Sequence, residues 1–189
     1  MECALLSCDP DVQLMIRVKQ GDEEAFDELI RRYRRQLSGF FYSLCWSADA
    51  AQDYAQEVFV CLWLARDRYE PTGAFRSYVF KIARNHWLSA LRKRKCRPEP
   101  MFLEESWQPI EDESGLEKLL IRRYEDRRIK QAIAKLPDHY RLVFVLSHFE
   151  GMKYAEIAEI LEIPVGTVKS RMSAAVRILQ ETLSKETGD

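Results

Sequence analysis

The stretch that first suggests a function is "PVGTVKSR", residues 164–171. Pro164 suits the first position of a helix, where its missing N–H costs nothing. Gly166 has no side chain and lets another surface approach closely. Lys169 and Arg171 then place two positive charges within one turn, and such side chains bind DNA phosphates or the edge of guanine. The stretch predicts the front of a helix that enters a DNA groove, with a solvated surface helix as the alternative.

The residues around this stretch predict a helix-turn-helix. A short helix covers "KYAEIAEILE", residues 153–162, in which the small Ala158 lets a second helix cross closely. After a turn at 162–164, the second helix runs from Pro164 towards Leu183. In this motif the second helix lies in the major groove, with its N-terminal part against the base edges. A helical hairpin with a charged outer face is the alternative.

The second helix of the motif has two predicted faces. At 100° per residue, an apolar stripe lies on the inner face: Val165, Val168, Met172, Val176, Leu179 and Leu183. The opposite face carries small and polar residues: Gly166, Ser170, Ala174 and Arg177. Lys169 and Arg171 flank this outer face. We therefore expect these two side chains to supply most of the charge contact with DNA.

A second candidate surface for nucleic acid lies in residues 71–98, which contain no Asp or Glu. A helical wheel places polar and basic residues on one side: Ser77, Lys81, Arg84 and Arg92, with Asn85 beside them. Aromatic residues are dense here too. A basic face with aromatic rings suits single-stranded DNA, because backbone charge and base stacking both contribute to binding. For most of these aromatic residues, a place in the core is the alternative.

An acidic segment follows the basic one. Residues 99–117 contain seven acids and no Lys or Arg, together with helix-breaking Pro and Gly. The composition predicts a flexible acidic linker at 98–118 between two small helical domains. The first domain is predicted at 11–97, after a flexible tail of residues 1–10. The second domain, with the helix-turn-helix, is predicted at 119–185.

Helical spacing predicts an all-α protein, because neither an internal repeat nor a βαβ alternation is visible. In the first domain, three helices are predicted within residues 22–44, 47–69 and 73–95. In the second, two helices precede the helix-turn-helix, at about 119–135 and within 138–150. Ser47 or Asp49 is the predicted N-cap of the second helix of the first domain.

The overall composition does not indicate a particular function, but it argues against a membrane-spanning or secreted protein. With 29 basic and 30 acidic side chains, the net charge alone does not indicate a nucleic-acid binder, whereas the order of the charges does. No apolar run approaches the roughly 18–20 residues of a membrane span. The start of the chain lacks the basic and apolar regions of a signal peptide. The sequence therefore predicts a cytoplasmic protein without membrane insertion.

The cysteines and histidines give little support to a metal site or a catalytic centre. They are scattered, without CxxC or paired His spacing, so neither a metal nor another cofactor is expected. The basic segment contains no carboxylate pair, which argues against a nucleic-acid-processing enzyme. Cys45 and Cys61 lie in apolar helical patterns and are predicted to be buried thiols. Cys3 and Cys8 leave a redox role open, with reduced thiols as the simpler alternative.

Four segments in this order, around the acidic linker, resemble the extracytoplasmic-function (ECF) sigma factors, group IV of the sigma-70 superfamily. They are "GDEEAFDELIRRY", "DYAQEVFVCLW", "FRSYVFKIARN" and "FEGMKYAEIAEILEIPVGTVKSRM". The resemblance covers about residues 13–183. It implies a non-catalytic subunit that binds bacterial RNA polymerase core, directs it to specific promoters and promotes initiation. It also implies control by an anti-sigma factor, and association with the nucleoid when active.

The resemblance also implies roles for the two domains and their residues. The first domain would be sigma region 2, and its residues implied in docking on the β′ clamp helices are Asp53, Gln56, Glu57 and Phe59. Contacts with the minus-ten element are implied for Arg68, Ser77, Lys81, Arg84, Asn85 and Arg92. Loop 68–73 would shape a pocket for a flipped base. The second domain would be sigma region 4, near the β flap, and contacts with the minus-thirty-five element are implied for Gly166, Thr167, Lys169, Ser170, Arg171, Ser173 and Arg177.

The chain departs from the family pattern in two places. Just after "SRM" the family often has His or Arg, whereas this chain has small residues and Val at 173–176. The turn of the family's helix-turn-helix often holds Gly or Asp, whereas Glu162 stands here, and the sequence gives it no role.

Each functional surface has an alternative interpretation. Asp53, Gln56 and Glu57 are three and four residues apart and so share a helix face, which suits either a basic coiled coil or a solvated acidic patch. A helix-turn-helix regulator that senses a ligand through its first domain is the alternative for the whole chain. Such a regulator predicts a ligand pocket and usually a symmetric dimer, and it leaves the acid-free segment without a purpose.

Overall fold

The computed structural model describes residues 9–96 and 127–185, and every regular element in these two ranges is helical. The first domain contains α1 (Pro10–Lys19), α2 (Glu23–Cys45), α3 (Ala48–Leu64), a short 3-10 helix (Arg66–Arg68) and α4 (Phe75–Cys96). The second contains α5 (Arg127–Lys135), α6 (Asp138–His148), α7 (Tyr154–Leu161) and α8 (Val165–Lys185). The prediction of an all-α protein with a helix-turn-helix is confirmed.

The first domain forms around α2, whose start and inner face follow from the sequence. Asp22 caps the helix, because its Oδ1 accepts a hydrogen bond from the N–H of Ala25 at 3.0 Å. Residues at spacings of three and four are buried along its inner face: Ala25, Leu29, Tyr33 and Leu37. Ser47 rather than Asp49 caps α3, with its Oγ 3.4 Å from the N–H of Ala50.

Helix α4 packs against α2 and α3. It buries every fourth residue along one side: Phe75, Val79, Ala83 and Trp87. Phe80 is buried as well and meets Phe40 of α2 edge to face, with ring centroids 5.4 Å apart. Such apolar burial contributes most of a domain's stability. The packing fixes which side of α4 remains available for function.

Helix α1 was not predicted from the sequence. It begins at Pro10, inside the predicted tail of residues 1–10, and Asp9 is its N-cap. One oxygen of Asp9 accepts from the N–H of Asp11 at 2.9 Å, and the other from the N–H of Phe75 at 3.2 Å. Asp11 accepts from the hydroxyl of Tyr33 at 2.6 Å. These bonds join α1 to both α2 and α4, so this helix is part of the first domain.

The second domain packs α8 against the helices before it, with an inner face that differs from the predicted stripe at two positions. Val168, Ala175 and Leu179 are buried, whereas Val165 and Val176 are 40% and 37% exposed. Ala175 therefore takes the inner position that was predicted for Val176. Adjacent helical residues differ by about 100° in direction, so a neighbour of the buried position points elsewhere. The predicted stripe was wrong at these two valines and right at Val168 and Leu179.

The two cysteines that were predicted to be buried differ in their exposure. Cys45 is buried as predicted, but Cys61 is exposed, because it lies one position before the buried Leu62 and adjacent helical residues differ by about 100° in direction. The acidic linker at 98–118, the first part of the helix predicted at 119–135, and Cys3 and Cys8 lie outside the described residues. In the described part of the chain, no helix has the length and apolar character that a membrane crossing requires.

Candidate nucleic-acid and polymerase interfaces

The helix-turn-helix presents the outer side of α8 to solvent. We use "α8 face" for its exposed residues Gly166, Lys169, Ser170, Ser173 and Arg177. Thr167 and Arg171, which were also predicted to contact DNA, are partly buried at its edges. The hydroxyls of Ser170 and Ser173 donate to backbone carbonyls of their own helix at 3.0 and 3.1 Å. These hydrogen bonds hold the two hydroxyls against their own helix, within an exposed surface.

The turn before α8 is held by backbone hydrogen bonds. The N–H of Ile163 donates to the carbonyl of Ala158 at 3.1 Å, and the N–H of Thr167 donates to that of Pro164 at 2.9 Å. Glu162 sits between them in the left-handed region, at φ 56°. A residue with a positive φ reverses the chain at the end of a helix. The two helices are thus fixed relative to each other, which a reading helix requires.

The corresponding side of α4 is covered by the second domain. We use "α4 face" for Ser77, Lys81 and Arg84, three of the residues predicted to contact minus-ten DNA. Ser77 and Lys81 donate to the carboxylate of Glu159 at 3.1 and 3.2 Å. Arg84 donates to Glu162 at 2.7 Å. The other predicted contacts, Arg68, Asn85 and Arg92, are exposed.

Most aromatic rings in the basic segment and just before it belong to the core. Tyr69, Phe75, Phe80 and Trp87 are at most 2% exposed, and burial raises the pKa of Tyr69 to about 12. The alternative of a core role is therefore correct for these four rings. Tyr78 is partly buried and packs against Tyr69, with ring centroids 5.0 Å apart.

Helix α3 carries the residues predicted to dock on polymerase. Asp53, Gln56 and Glu57 are exposed, whereas Phe59 is 7% exposed and packs against Phe26. The Oε2 atom of Glu57 lies 3.0 Å from Nε2 of His86 on α4. The three polar residues form an open patch, and Phe59 lies beneath the surface beside it.

A groove between α2 and α3, which the sequence analysis missed, adjoins this patch. Its volume is about 660 Å³, and its wall includes Phe26, Ile30 and Trp63. Val60 and Leu64 at its rim are 58% and 72% exposed. The sequence could have indicated this groove, because Val60 and Leu64 are four residues apart on the outer side of α3. Large apolar residues that the core does not need often mark an interaction surface.

The described residues contain no cluster of three or more His, Cys, Asp or Glu side chains that could hold a metal ion. The chemistry that these surfaces offer is recognition through charge, amide groups and apolar contact.

Comparisons with known proteins decide what these surfaces belong to. The family model "Sigma-70 region 2" matches residues 29–97, and "Sigma-70, region 4" matches 126–179. RNA polymerase sigma-H factor of Pseudomonas aeruginosa is 31% identical over 186 residues, covering 95% of this chain and 96% of its own. The ECF sigma factor SigW of Bacillus subtilis is 31% identical over 176 residues, covering 88% and 93%.

The chain belongs to the ECF sigma factors.

Solved structures agree with this assignment. The sigma factor RpoE of Bartonella quintana, in complex with the anti-sigma factor NepR, superposes with a TM-score of 0.66 at 26% identity, covering 84% of this chain and 96% of its own. CnrH, in complex with the cytosolic domain of CnrY, has the same fold, with a TM-score of 0.67 at 24% identity over 91% and 96%. The α4 face of this ECF sigma factor therefore lies in region 2, and the α8 face in region 4. Sigma factors regulate transcription and are not enzymes, as the sequence analysis expected.

Proposed function

We propose that this ECF sigma factor binds RNA polymerase core, directs it to specific promoters and promotes the initiation of transcription. Region 2 binds the core and the minus-ten element and helps to open the duplex. Region 4 binds the minus-thirty-five element. One observation carries the proposal. The same chain has an exposed α8 face on a helix-turn-helix and a region 2 domain with an exposed acidic patch on α3.

Docking on the core uses the patch formed by Asp53, Gln56 and Glu57. All three are exposed on one side of α3, where carboxylates attract a basic coiled coil such as the clamp helices of the β′ subunit. Phe59 supports this surface from beneath, since it packs against Phe26 at a centroid distance of 6.5 Å. The β flap is the partner that we assign to region 4.

Recognition of the minus-ten element uses α4 and the loop before it. Asn85, Arg92 and Arg68 are exposed. An amide can hydrogen-bond a base edge, and arginines can hold the backbone beside it. Ser77, Lys81 and Arg84 complete the site once their present partners have moved away.

Recognition of the minus-thirty-five element uses the α8 face. Lys169 and Arg171 lie near the front of the helix, where a reading helix meets the bases, and Arg177 lies further along for a backbone contact. Ser170, Thr167 and Ser173 offer hydroxyls, and Gly166 permits close approach.

Control by an anti-sigma factor is the regulatory part of the proposal. The solved structure of RpoE from Bartonella quintana holds the anti-sigma factor NepR, which supports extending this kind of control to the present chain. We place its action in the cytoplasm, at the nucleoid when it is active.

Run-off transcription tests the proposal. Purified chain and purified polymerase core are incubated with a pool of genomic fragments, and the 5′ ends of the transcripts are sequenced. We expect transcripts that depend on the added chain and whose starts follow two shared sequence elements. Absence of such transcripts, with tight specific binding of duplex DNA by the chain alone, would contradict the proposal and favour a helix-turn-helix regulator.

A further inference from the structure

The acidic side of α7 and the turn after it touch the α4 face. Glu159 lies on α7, the first helix of the helix-turn-helix, and Glu162 lies in the turn. Both belong to region 4, yet their carboxylates accept hydrogen bonds from region 2 residues about eighty positions earlier in the chain. The position that had no role in the sequence analysis therefore has one in the structure.

The carboxylate of Glu159 takes both of its partners from α4. Its Oε2 accepts from the hydroxyl of Ser77 at 3.1 Å, and its Oε1 accepts from Nζ of Lys81 at 3.2 Å. Oε1 also lies so near Gly73 that a β-carbon there would be 3.3 Å from it. Glu159 thus fills the corner between α4 and loop 68–73, where the family resemblance implies a pocket for a flipped base.

Glu162 holds Arg84 in the same way. Its Oε2 accepts from Nη2 of Arg84 at 2.7 Å, and the Arg84 side chain is only 12% exposed. The hydrogen bond from Arg84 holds the pKa of Glu162 below its usual range. A glutamate is uncommon in the left-handed region that Glu162 occupies, and this ion pair gives it a function there.

Further contacts join the two domains, so the arrangement does not rest on exposed ion pairs, which contribute little by themselves. Arg76 donates to the carbonyl of Glu150 at 2.7 Å. Arg141 donates to the carbonyl of Leu44 at 3.4 Å. Lys130 lies 5.8 Å above the ring centre of Tyr42 and donates to its hydroxyl at 3.4 Å. The end of α2 is buried beside these contacts.

We propose that region 4 inhibits region 2 in the free sigma factor. Glu159 and Glu162 occupy the α4 face as substitutes for DNA, because carboxylates accept from Lys, Arg and Ser as phosphates do. Minus-ten DNA then binds fully only after the two domains separate, and binding to polymerase core supplies that separation. The inference rests on the proposed function in one respect, since it takes the α4 face to be the DNA-binding side of region 2.

The test measures binding of single-stranded DNA to the full chain without polymerase. The probe is a fluorescein-labelled oligo(dT) of about 15 nucleotides. The variant Glu159→Lys/Glu162→Lys places like charges against Lys81 and Arg84 and opens the contact. The control variant Glu24→Lys/Asp27→Lys makes the same change in net charge at two exposed positions of α2, on neither the α4 face nor the α8 face. Small-angle X-ray scattering of all three proteins reports their compactness.

We expect the opened variant to bind the probe about 10- to 100-fold more tightly than the control variant, because apparent affinity scales with the binding-competent fraction. We also expect its radius of gyration to exceed that of the wild type and the control. Equal affinities of the opened and control variants would overturn the inference, and so would equal compactness of all three proteins.

Run-off transcription with the same proteins separates this inference from the proposed function. If wild type supports transcription and the opened variant gains no affinity for the probe, the inference is wrong and the proposed function stands. If the opened variant gains affinity and expands but no protein supports transcription, the closed contact stands as a mask on a DNA-binding face, and the proposed function is wrong.

Discussion

The α4 face and the α8 face offer similar chemistry to nucleic acid but differ in how accessible they are. On α4, Lys81 and Arg84 have carboxylate partners from the other domain at 3.2 and 2.7 Å. On α8, Lys169 faces solvent. The difference shows that acidic residues of one domain neutralise a basic face of the other domain locally. One basic face is paired within the molecule, and the other is exposed, where we propose that it binds duplex DNA.

A third surface is the acidic patch on α3, and reversing its charges has the largest expected effect. Asp53→Lys/Glu57→Lys should abolish association with polymerase core, because two attractive charges become repulsive on an exposed patch. Gel filtration with purified core measures it. The control Glu24→Lys/Glu181→Lys should co-elute with core as wild type does. Co-elution of the α3 variant at wild-type levels, with an unchanged thermal melt, would show that docking occurs elsewhere.

Arg141 of the second domain contacts the first domain through the carbonyl of Leu44. Its replacement should destabilise the protein. Its side chain is buried and donates to the carbonyls of Ala134, Leu136 and Leu44. Arg141→Met removes these donors and leaves buried carbonyls unsatisfied, so we expect a loss of about 2–4 kcal/mol in the free energy of unfolding. Urea denaturation measures it, with Arg141→Lys as a partial rescue. A loss below about 0.5 kcal/mol would show that water replaces the guanidinium.

The stability of the folded chain should respond to pH through Glu150, whose backbone carbonyl accepts a hydrogen bond from Arg76 of the first domain. Burial raises the pKa of this carboxyl to about 7, against the smaller opposing effect of Arg76. Because the folded state disfavours the charged form, its contribution is fully present below about pH 4.5 and is lost as pH rises through 7. Glu150→Gln should therefore remove roughly 1–3 kcal/mol of pH-dependent stability between about pH 5 and 8. Parallel stability curves for wild type and variant would contradict this expectation.

The open face permits the smallest and most local test. Ala174 lies on the outer side of α8, beside Ser170 and Arg177, and is only partly buried. Arg is a good helix former, so Ala174→Arg should fold. If the new guanidinium meets a phosphate, the salt dependence of duplex binding should steepen by about one unit. If it meets guanine, preference at one base pair should sharpen by about 1–3 kcal/mol. Salt titrations of the full chain on duplex DNA measure both, and no change in either would discard this docking orientation.

The helices and the helix-turn-helix could be predicted because their signals are local. The spacing of Leu29, Tyr33 and Leu37 defines the inner face of α2, and Ser47 defines the start of α3. The signal for α1 was also local, since Asp9 followed by Pro10 is typical of a helix start, but it was assigned to the tail.

Other features depend on tertiary packing and could not be predicted from the sequence. The choice between Ala175 and Val176 for the inner face of α8 depends on the angle at which the neighbouring helices meet it. The pairs Lys81–Glu159 and Arg84–Glu162 each join residues 78 positions apart, and no periodicity relates them. The predicted roles of Asp53 and Asn85 stay predictions, because exposure permits a contact without demonstrating one.

The measurement that tests the central claim most directly is zero-length carbodiimide cross-linking, which joins an amine to a carboxylate only in direct contact. Nζ of Lys81 and Oε1 of Glu159 are 3.2 Å apart. In the free chain we predict an amide between Lys81 and Glu159, detected by mass spectrometry of the digested protein. An excess of polymerase core should abolish it, because the α4 face must open to admit promoter DNA. Absence of the link in the free chain, or equal amounts with and without core, would contradict the account.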